Sequence, residues 1–415
     1  MIEKVIKPKV LIVHNYYQIP GGEDTVVANE MKLLKDNGHE VIFYSRNNSE
    51  LKEINKFQKI LLPFTTLFSI RTYREVKKII REQHIDVVHV HNTFNLISPS
   101  VYYSAFVCKV PVVQTIHNFR LLCPSGVFYR NGNICEDCVR KGLRSAVAHS
   151  CYRGSKIQTF AIALTLKFHR ILGTYKKIDG YICLSDFMRE KIAVLIDKTK
   201  LFVKPNFMPQ KSKAIERDIP NKEDYYLYIG RLEENKGIPL LLAAFEKLPH
   251  EKLIIIGDGF YKEQMLRKIA DKRLTNISYL GFKSGLEKTE LLRNAKAVIV
   301  PSQWYEPFGM VVLEAYQLLT PAIVSDLGTL PDLVKEGETG MIFQSGSIDD
   351  LVKTIKKMSS CKKEDFKINI KNLFEDKYSE KVNYLMLLDI YNRVCSFRNG
   401  KKYNEDYKGS KDIKM

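Results

Sequence analysis

Nowhere in the 415 residues do about 18 apolar residues run uninterrupted, the length a membrane-spanning helix needs, so any membrane contact is made from the surface. The first stretch, MIEKVIKPKVLIVHNYY, also lacks the apolar core and small-residue cleavage site of a secretory leader, and the expectation is a cytoplasmic protein. Acidic charge is scarce as well. Against 65 Lys and Arg stand 47 Asp and Glu, a formal net charge of +18 that draws the chain towards polyanions. Anionic lipid, phosphorylated small molecules and nucleic acid would all answer that charge, as would lysines that only solvate helix faces. No RNA- or DNA-reading motif accompanies it and the basic residues are spread along the chain, so nucleic acid is not expected as a partner. No fixed-period repeat is present, which excludes a solenoid.

What is present is a recurring pattern of short β-branched runs, each closed by a polar or glycine turn and followed by helical periodicity. KVLIVHN, HEVIFYS, IDVVHVHN, VPVVQTIHN, IDGYICLS and KLFVKPN form one set; YYLYIGRL, EKLIIIGDG, ISYLGF, KAVIVPS, TPAIVSDLG and GMIFQ form a second. Strands alternating with helices imply parallel sheets covered on both faces. The fold class expected is therefore α/β, two doubly wound Rossmann-like domains. They occupy residues 1–207 and 224–378, with a Lys-rich linker at 208–223, a crossover helix at 379–396 that returns to the first domain, and a disordered tail at 397–415. Ligands of such sheets bind beyond the carboxyl ends of the strands.

Three strand-end segments of the second half carry the chemistry. In YIGRLEENKG, Gly230 and Arg231 close a strand and Lys236 precedes a helix, two cations suited to a diphosphate; two solvated loop cations would read the same. In IIIGDGFYKEQM, Gly257 and Gly259 allow backbone to approach a ligand, although the third glycine of a dinucleotide fingerprint is missing. In KAVIVPSQWYEPFGMVVLEA, Pro307 and Gly309 hold off helix until about Met310. Glu306 and Glu314 then cannot be a close acid/base dyad: even on a continuous helix, residues eight apart lie ~80° apart and ~12 Å along the axis. Glu306 in the loop, Glu314 one turn into the helix and the amides of Gly309, Met310 and Val311 between them suit an extended ligand with hydroxyls at both ends and an anion in the middle. A first-turn glutamate favoured by the helix dipole, beside a solvent-facing loop glutamate, is the structural alternative.

The ordered set GRLEENKG, GDG, VPSQWYEPFGMVVLEA and VSDLGTLPDLV resembles the nucleotide-sugar domain of retaining glycosyltransferases of family four, which have the GT-B fold; PGGEDTVV, VHVHN, QTIHNF and LSDFMREK resemble its acceptor-side domain. The likeness runs from about residue 8 to 395 and keeps the E-x7-E element. It implies two sheets facing a central cleft and transfer of a sugar from a nucleoside diphosphate sugar, a UDP-sugar before a GDP-sugar, to a saccharide or polyprenyl diphosphate-linked acceptor in cell-surface polysaccharide assembly. By the same resemblance Glu306 binds donor-sugar hydroxyls and Glu314 the ribose diol. Arg231 and Lys236 hold the diphosphate as it leaves, beside Gly230 and the Gly257 and Gly259 turn. Backbone near Phe282 meets the base, and the turn of Phe308, Gly309, Met310 and Val311 meets sugar and phosphate. His117 faces the sugar, and Gly21 and Gly22 let the first loop close over the diphosphate. No D-x-D triplet occurs anywhere in the chain, so no metal cofactor is expected for catalysis and the cations take over the metal's charge-stabilising task. An epimerase or phosphorylase on the same fold is the nearest rival.

Two features lie outside that scheme. Cys123, Cys135, Cys138 and Cys151 crowd an insert at 119–152 with one C-x2-C knuckle where a zinc ribbon has two, which leaves structural zinc and free thiols both open. Just beyond it, RGSKIQTFAIALTLKFHRILGTYKK is apolar over about sixteen residues between basic flanks, and KILLPFTTLFSIRTYREVKKIIR is a second such segment. Each reads either as an interfacial helix on anionic lipid at the inner face of the plasma membrane or as a buried helix with basic ends.

Overall fold

The computed structural model describes residues 7–18, 21–53, 55–209 and 225–398. The expected linker at 208–223 and tail at 397–415 fall outside these residues, apart from 208–209 and 397–398. The chain divides into two compact units, one of residues 1–127, 136–205 and 380–415 and the other of 128–135 and 206–379.

In the first unit β1 (Val10–Tyr16), α1 (Gly22–Asp36), β2 (Val41–Asn47), α2 (Lys56–Leu67), α3 (Ile70–Glu82), β3 (Val87–Asn92), α4 (Ser100–Cys108) and β4 (Val112–Ile116) follow in turn. The Cys-rich insert supplies a two-residue-a-strand hairpin, β5 (Tyr129–Arg130) and β6 (Asn133–Ile134), then α5 (Asp137–Arg140) and α6 (Arg144–Ala148). The hairpin groups with the second unit and the rest of the insert with the first, so the insert is not one module. After it come α7 (Lys156–Ile171), β7 (Gly180–Cys183), α8 (Asp186–Ile192) and β8 (Leu201–Val203). The sheet is parallel throughout, in the order β2-β1-β3-β4-β7-β8. Serines mark the helix starts: Ser155 Oγ accepts from Gln158 N at 3.3 Å to open α7, and Ser185 Oγ from Met188 N at 3.1 Å to open α8.

The second unit runs β9 (Tyr225–Ile229), α9 (Ile238–Glu246), β10 (Lys252–Ile256), α10 (Lys262–Asp271), β11 (Ile277–Tyr279), α11 (Gly285–Asn294), β12 (Ala297–Val300), α12 (Met310–Tyr316), β13 (Ala322–Ser325), α13 (Leu330–Leu333), β14 (Gly340–Phe343), α14 (Ile348–Ser359) and α15 (Glu364–Leu373). Its six strands are also all parallel, ordered β11-β10-β9-β12-β13-β14. The last helix, α16 (Glu380–Arg398), returns to the first unit. Leu387, Ile390, Tyr391 and Val394, spaced to fall on one helical face, join Val10, Ile12, Val27, Val87 and Val113 in its core. Burying such side chains is worth about 1.5–3 kcal/mol apiece, which fastens α16 there.

Each sheet order reverses once, between β1 and β3 in the first unit and between β9 and β12 in the second. Loops that leave neighbouring strands at such a reversal diverge to opposite faces and open a crevice at the carboxyl ends.

Candidate functional site

The second unit's reversal brings Lys236 and Glu306 together. Lys236 ends a single 3-10 turn in the loop after β9, and Glu306 lies in the loop after β12. Gln303 N–H donates to Asn235 O at 2.8 Å and ties one loop to the other. Lys236 Nζ donates to both Glu306 oxygens, at 2.9 and 2.8 Å, and stands 4.8 Å from the centre of the Trp304 ring. Ser302 Oγ and Trp304 Nε1 complete the carboxylate's shell at 3.0 and 2.9 Å. Burial by itself would push the Glu306 carboxyl up; the Lys236 charge and these hydrogen bonds outweigh it and hold the group below its ordinary value. With its side chain 14% exposed, Glu306 is no solvent-facing loop residue.

The other second-unit residues stand separately. Arg231 Nη1 pairs with Glu233 Oε1 at 2.9 Å and its side chain is 63% exposed. Glu314, inside α12, has Lys288 Nζ 2.6 Å from Oε2, an ion pair without hydrogen-bond alignment. Gly257 and Gly259 have φ of 140° and 158°, and a Cβ at either would lie 1.9 Å from Gly230 O or 2.4 Å from Leu232 O. Their freedom is therefore used in seating the β9 loop on the β10 loop, where Leu232 N–H donates to Asp258 O at 2.8 Å. The same two glycines thus hold two loops of the chain together. Phe282 is exposed, whereas Phe308 is buried against Tyr378 with ring centres 6.5 Å apart, so Phe308 can meet a ligand only through its backbone. Gly309 caps α12 with a positive φ of 101°, and Met310 and Val311 form its first turn.

In the first unit His117 follows β4 and lines a cavity of about 80 Å³ together with Asn92, Phe94, Asn118, Arg120, Tyr102 and Leu166. The Arg120 guanidinium lies 4.2 Å from the centre of the Phe94 ring. Burial pushes the nearby Glu23 carboxyl up to about 8, helped by Asp24 and opposed by Arg120 and Asn92. Gly22 opens α1, and Gly21 N–H donates to Asp24 Oδ2 at 2.9 Å. A Cβ at Gly21 would meet nothing within 4 Å, so open space lies beside that loop.

Behind His117 is a set of buried groups to which the sequence reading gave no role. Among the described residues, Glu30, His89 and His91 form the one trio of potential metal ligands with ligand atoms within 4.8 Å of one another. Lys204 Nζ, 3.0 Å from Glu30 Oε2, already supplies the carboxylate with a positive charge, so the trio suits an internal ion pair better than a dication. Of the four insert cysteines, Cys123, Cys138 and Cys151 belong to the first unit and Cys135 to the hairpin of the second. A hydrogen bond with Cys123, then burial and the neighbouring Cys123 and Cys151 thiols, raise the Cys138 thiol above its ordinary pKa.

α7 has a buried face and an exposed apolar one. Ile162, Ala163, Leu166 and His169 face inward, and His169 Nε2 meets Leu67 O of α2 at 2.9 Å. Ile157 is 80% exposed and Phe160 55%, followed along the helix by exposed Leu164, Phe168 and Ile171; Phe64 of α2 is exposed too. No helix among the described residues is long and apolar enough to cross a membrane.

Two family models abut along the chain, "Glycosyltransferase Family 4" over residues 20–209 and "Glycosyl transferases group 1" over 210–372. The phosphatidyl-myo-inositol mannosyltransferase of Mycolicibacterium smegmatis is 26% identical over 357 residues, 81% of this chain and 80% of that protein. Among solved structures, a glycosyltransferase from Rickettsia africae superimposes with a TM-score of 0.67 at 18% identity, covering 93% of this chain and 98% of that one. Anabaena Alr3699/HepE, solved in complex with UDP, does so with a TM-score of 0.62 at 16% identity, covering 92% and 98%. At these identities the structural likenesses establish the GT-B fold.

Proposed function

Because the chain belongs to glycosyltransferase family 4, we propose that it moves a sugar, with retention and without a catalytic metal, from a nucleoside diphosphate sugar to a saccharide or polyprenyl-linked acceptor in surface polysaccharide or glycolipid assembly. The observation that carries this reading is the Lys236–Glu306 pair at the strand-order reversal, 2.8 Å across and roofed by Trp304. Departure of a nucleoside diphosphate builds negative charge on its outer phosphate. An ammonium held in place by a buried carboxylate meets that charge without reorganising, which is where electrostatic catalysis gains most. Arg231, exposed and hinged on Glu233, reaches the same diphosphate as a second cation.

Glu306 Oε2 accepts from Lys236, Ser302 and Trp304, but Oε1 accepts only from Lys236 and keeps a lone pair for a sugar hydroxyl. Glu314, one turn into α12 and paired with Lys288 at 2.6 Å, is the acceptor for a ribose diol. No carboxylate is assigned as a nucleophile; by analogy with the family, the acceptor hydroxyl attacks from the face that the diphosphate leaves. The UDP complex of the Anabaena neighbour favours a uridine donor. The first unit's cavity, polar at His117, Asn118 and Arg120 and apolar at Tyr102 and Leu166, is the place for the acceptor. The exposed apolar edge of α7, between basic Lys156 and Lys167, suits the surface of an anionic membrane where a lipid-linked acceptor resides.

Thermal stabilisation of the full chain across a panel of nucleoside diphosphate sugars, with chelator present, tests this. Stabilisation by a UDP-sugar in chelator is expected. Stabilisation confined to samples with added divalent metal, or by no member of the panel, would overturn it.

A further inference from the structure

His117 terminates a buried line of groups that reaches back to an ion pair. Its Nε2 is 2.9 Å from His91 Nδ1 and the two rings stack with centres 5.2 Å apart. The other nitrogen of His91, Nε2, is 3.2 Å from Glu30 Oε1, with the N–H somewhat off the line to the oxygen. The second oxygen, Oε2, accepts from Lys204 Nζ at 3.0 Å, and Lys204 is itself held by Asn383 Oδ1 at 2.9 Å. His89 stacks on His91 with centres 4.4 Å apart; its Nδ1 is 2.7 Å from Tyr391 Oη and 3.1 Å from Glu30 Oε1, and the His14 ring is 6.4 Å from that of His91.

The direction of every proton in this line follows from its charged end. Glu30 is held ionised because Lys204 and the histidines outweigh its burial, and an ionised carboxylate only accepts hydrogen bonds. Burial keeps His91 and His117 neutral, so each ring carries one N–H. A bare His91 Nε2 would set its lone pair against the carboxylate, so the proton sits on Nε2 and Nδ1 is bare. At 2.9 Å from that bare nitrogen, His117 Nε2 must hold the proton that joins them. What the His117 ring can then offer a ligand is a lone pair on Nδ1.

We infer that Glu30 and His91 are positioning residues that fix the tautomer of His117, with its proton on Nε2, so that Nδ1 accepts a hydrogen bond from a substrate hydroxyl. Such a nitrogen takes an O–H and repels a phosphate oxygen, so His117 selects for a sugar hydroxyl over a phosphate. The tautomer assignment stands without the glycosyl-transfer reading; only its kinetic consequence rests on that reading.

The test is nitrogen NMR of the full chain labelled with ring-15N histidine, with His117 assigned by the signal missing in His117→Asn. In the wild type a protonated Nε2 and a bare Nδ1 are expected. Glu30→Gln should invert the order: Lys204 claims the amide oxygen and turns the NH2 towards the histidines, so His91 protonates Nδ1 and His117 does likewise. Turnover should drop about tenfold with donor KM little changed, the size usual for a lost orienting partner. Should Glu30→Gln not fold, His91 variants decide the same question. His91→Gln can give its NH2 to Glu30 and its oxygen to His117, and should keep both the tautomer and most of the turnover; His91→Leu removes the acceptor at His117 Nε2 and should lose most of the turnover. A wild-type proton on Nδ1, an unchanged tautomer in Glu30→Gln, or full turnover in His91→Leu refutes the inference. A tautomer that behaves as stated in a chain that transfers no sugar would refute the functional reading and leave the inference intact.

Discussion

Lys236→Met removes the ammonium that lies 2.8 and 2.9 Å from the Glu306 oxygens and leaves the carboxylate with Ser302 and Trp304 alone. Breaking a buried ion pair on one side costs about 3–5 kcal/mol, because the surviving charge keeps its desolvation penalty. Two neutral donors remain, so about 3 kcal/mol is the reasonable figure. In a unit of this size that corresponds to a fall of about 6–12 °C in the melting temperature. Differential scanning calorimetry reads it unit by unit. Lys236→Met/Glu306→Leu removes both charges and should recover most of the loss, giving a coupling energy of about 2 kcal/mol or more, while sugar transfer stays abolished. The pH dependence has a definite sign. The folded-state pKa of Glu306 is depressed, so the pair's stabilisation is present above the ordinary carboxylate value of about 4.3 and is lost as the pH falls from there through the lower folded value. The gap between wild type and Lys236→Met should therefore close on acidification below about pH 4. A single mutant within about 0.5 kcal/mol of wild type at pH 7, or strictly additive mutants, would refute the claim that these two residues form one unit.

Glu306→Gln should lower turnover by about 10² with donor binding largely kept, while Glu314→Gln should weaken donor binding about tenfold; unchanged kinetics in both would remove the E-x7-E element from the site. Among the described residues no three cysteine sulfurs lie within 4.8 Å of one another, so purified chain should carry substoichiometric zinc and Cys138→Ser should fold. One tightly held zinc per chain, lost in Cys138→Ser, would contradict that. In vesicle flotation, wild type should float with anionic and not with neutral liposomes, and Ile157→Glu/Phe160→Glu should cut recovery severalfold, since burying each exposed side chain is worth about 1.5–3 kcal/mol. Equal recovery with both lipids would dismiss the membrane edge.

All twelve strands of the two sheets were legible as short β-branched runs, because a parallel strand covered on both faces has little choice of residue. The α16 face was legible from the periodicity of Leu387, Ile390 and Val394. Partnership was not. Lys236 and Glu306 are 70 residues apart and meet only because β9 and β12 are neighbours at the reversal of strand order. Gly257 and Gly259 were visible as special, but the sequence did not reveal that a side chain there would meet the carbonyl oxygens of Gly230 and Leu232. The Glu30–His91–His117 line was hidden for a similar reason. VHVHN looks like polar interruption of a strand, and its counter-charges come from α1 and from Lys204, 174 residues beyond Glu30. The C-x2-C knuckle left structural zinc and free thiols both open, and the division of Cys135 and Cys138 between units is not revealed by adjacency in sequence.

The central claim, metal-free transfer with retention by Lys236, Arg231 and Glu306, is tested most directly by the product itself. Incubation of the chain in chelator with a UDP-sugar and a saccharide or lipid-linked acceptor should release UDP and yield a glycoside whose anomeric configuration, read by proton NMR, matches that of the donor. An inverted anomer, or product formed only when a divalent metal is restored, would contradict the account.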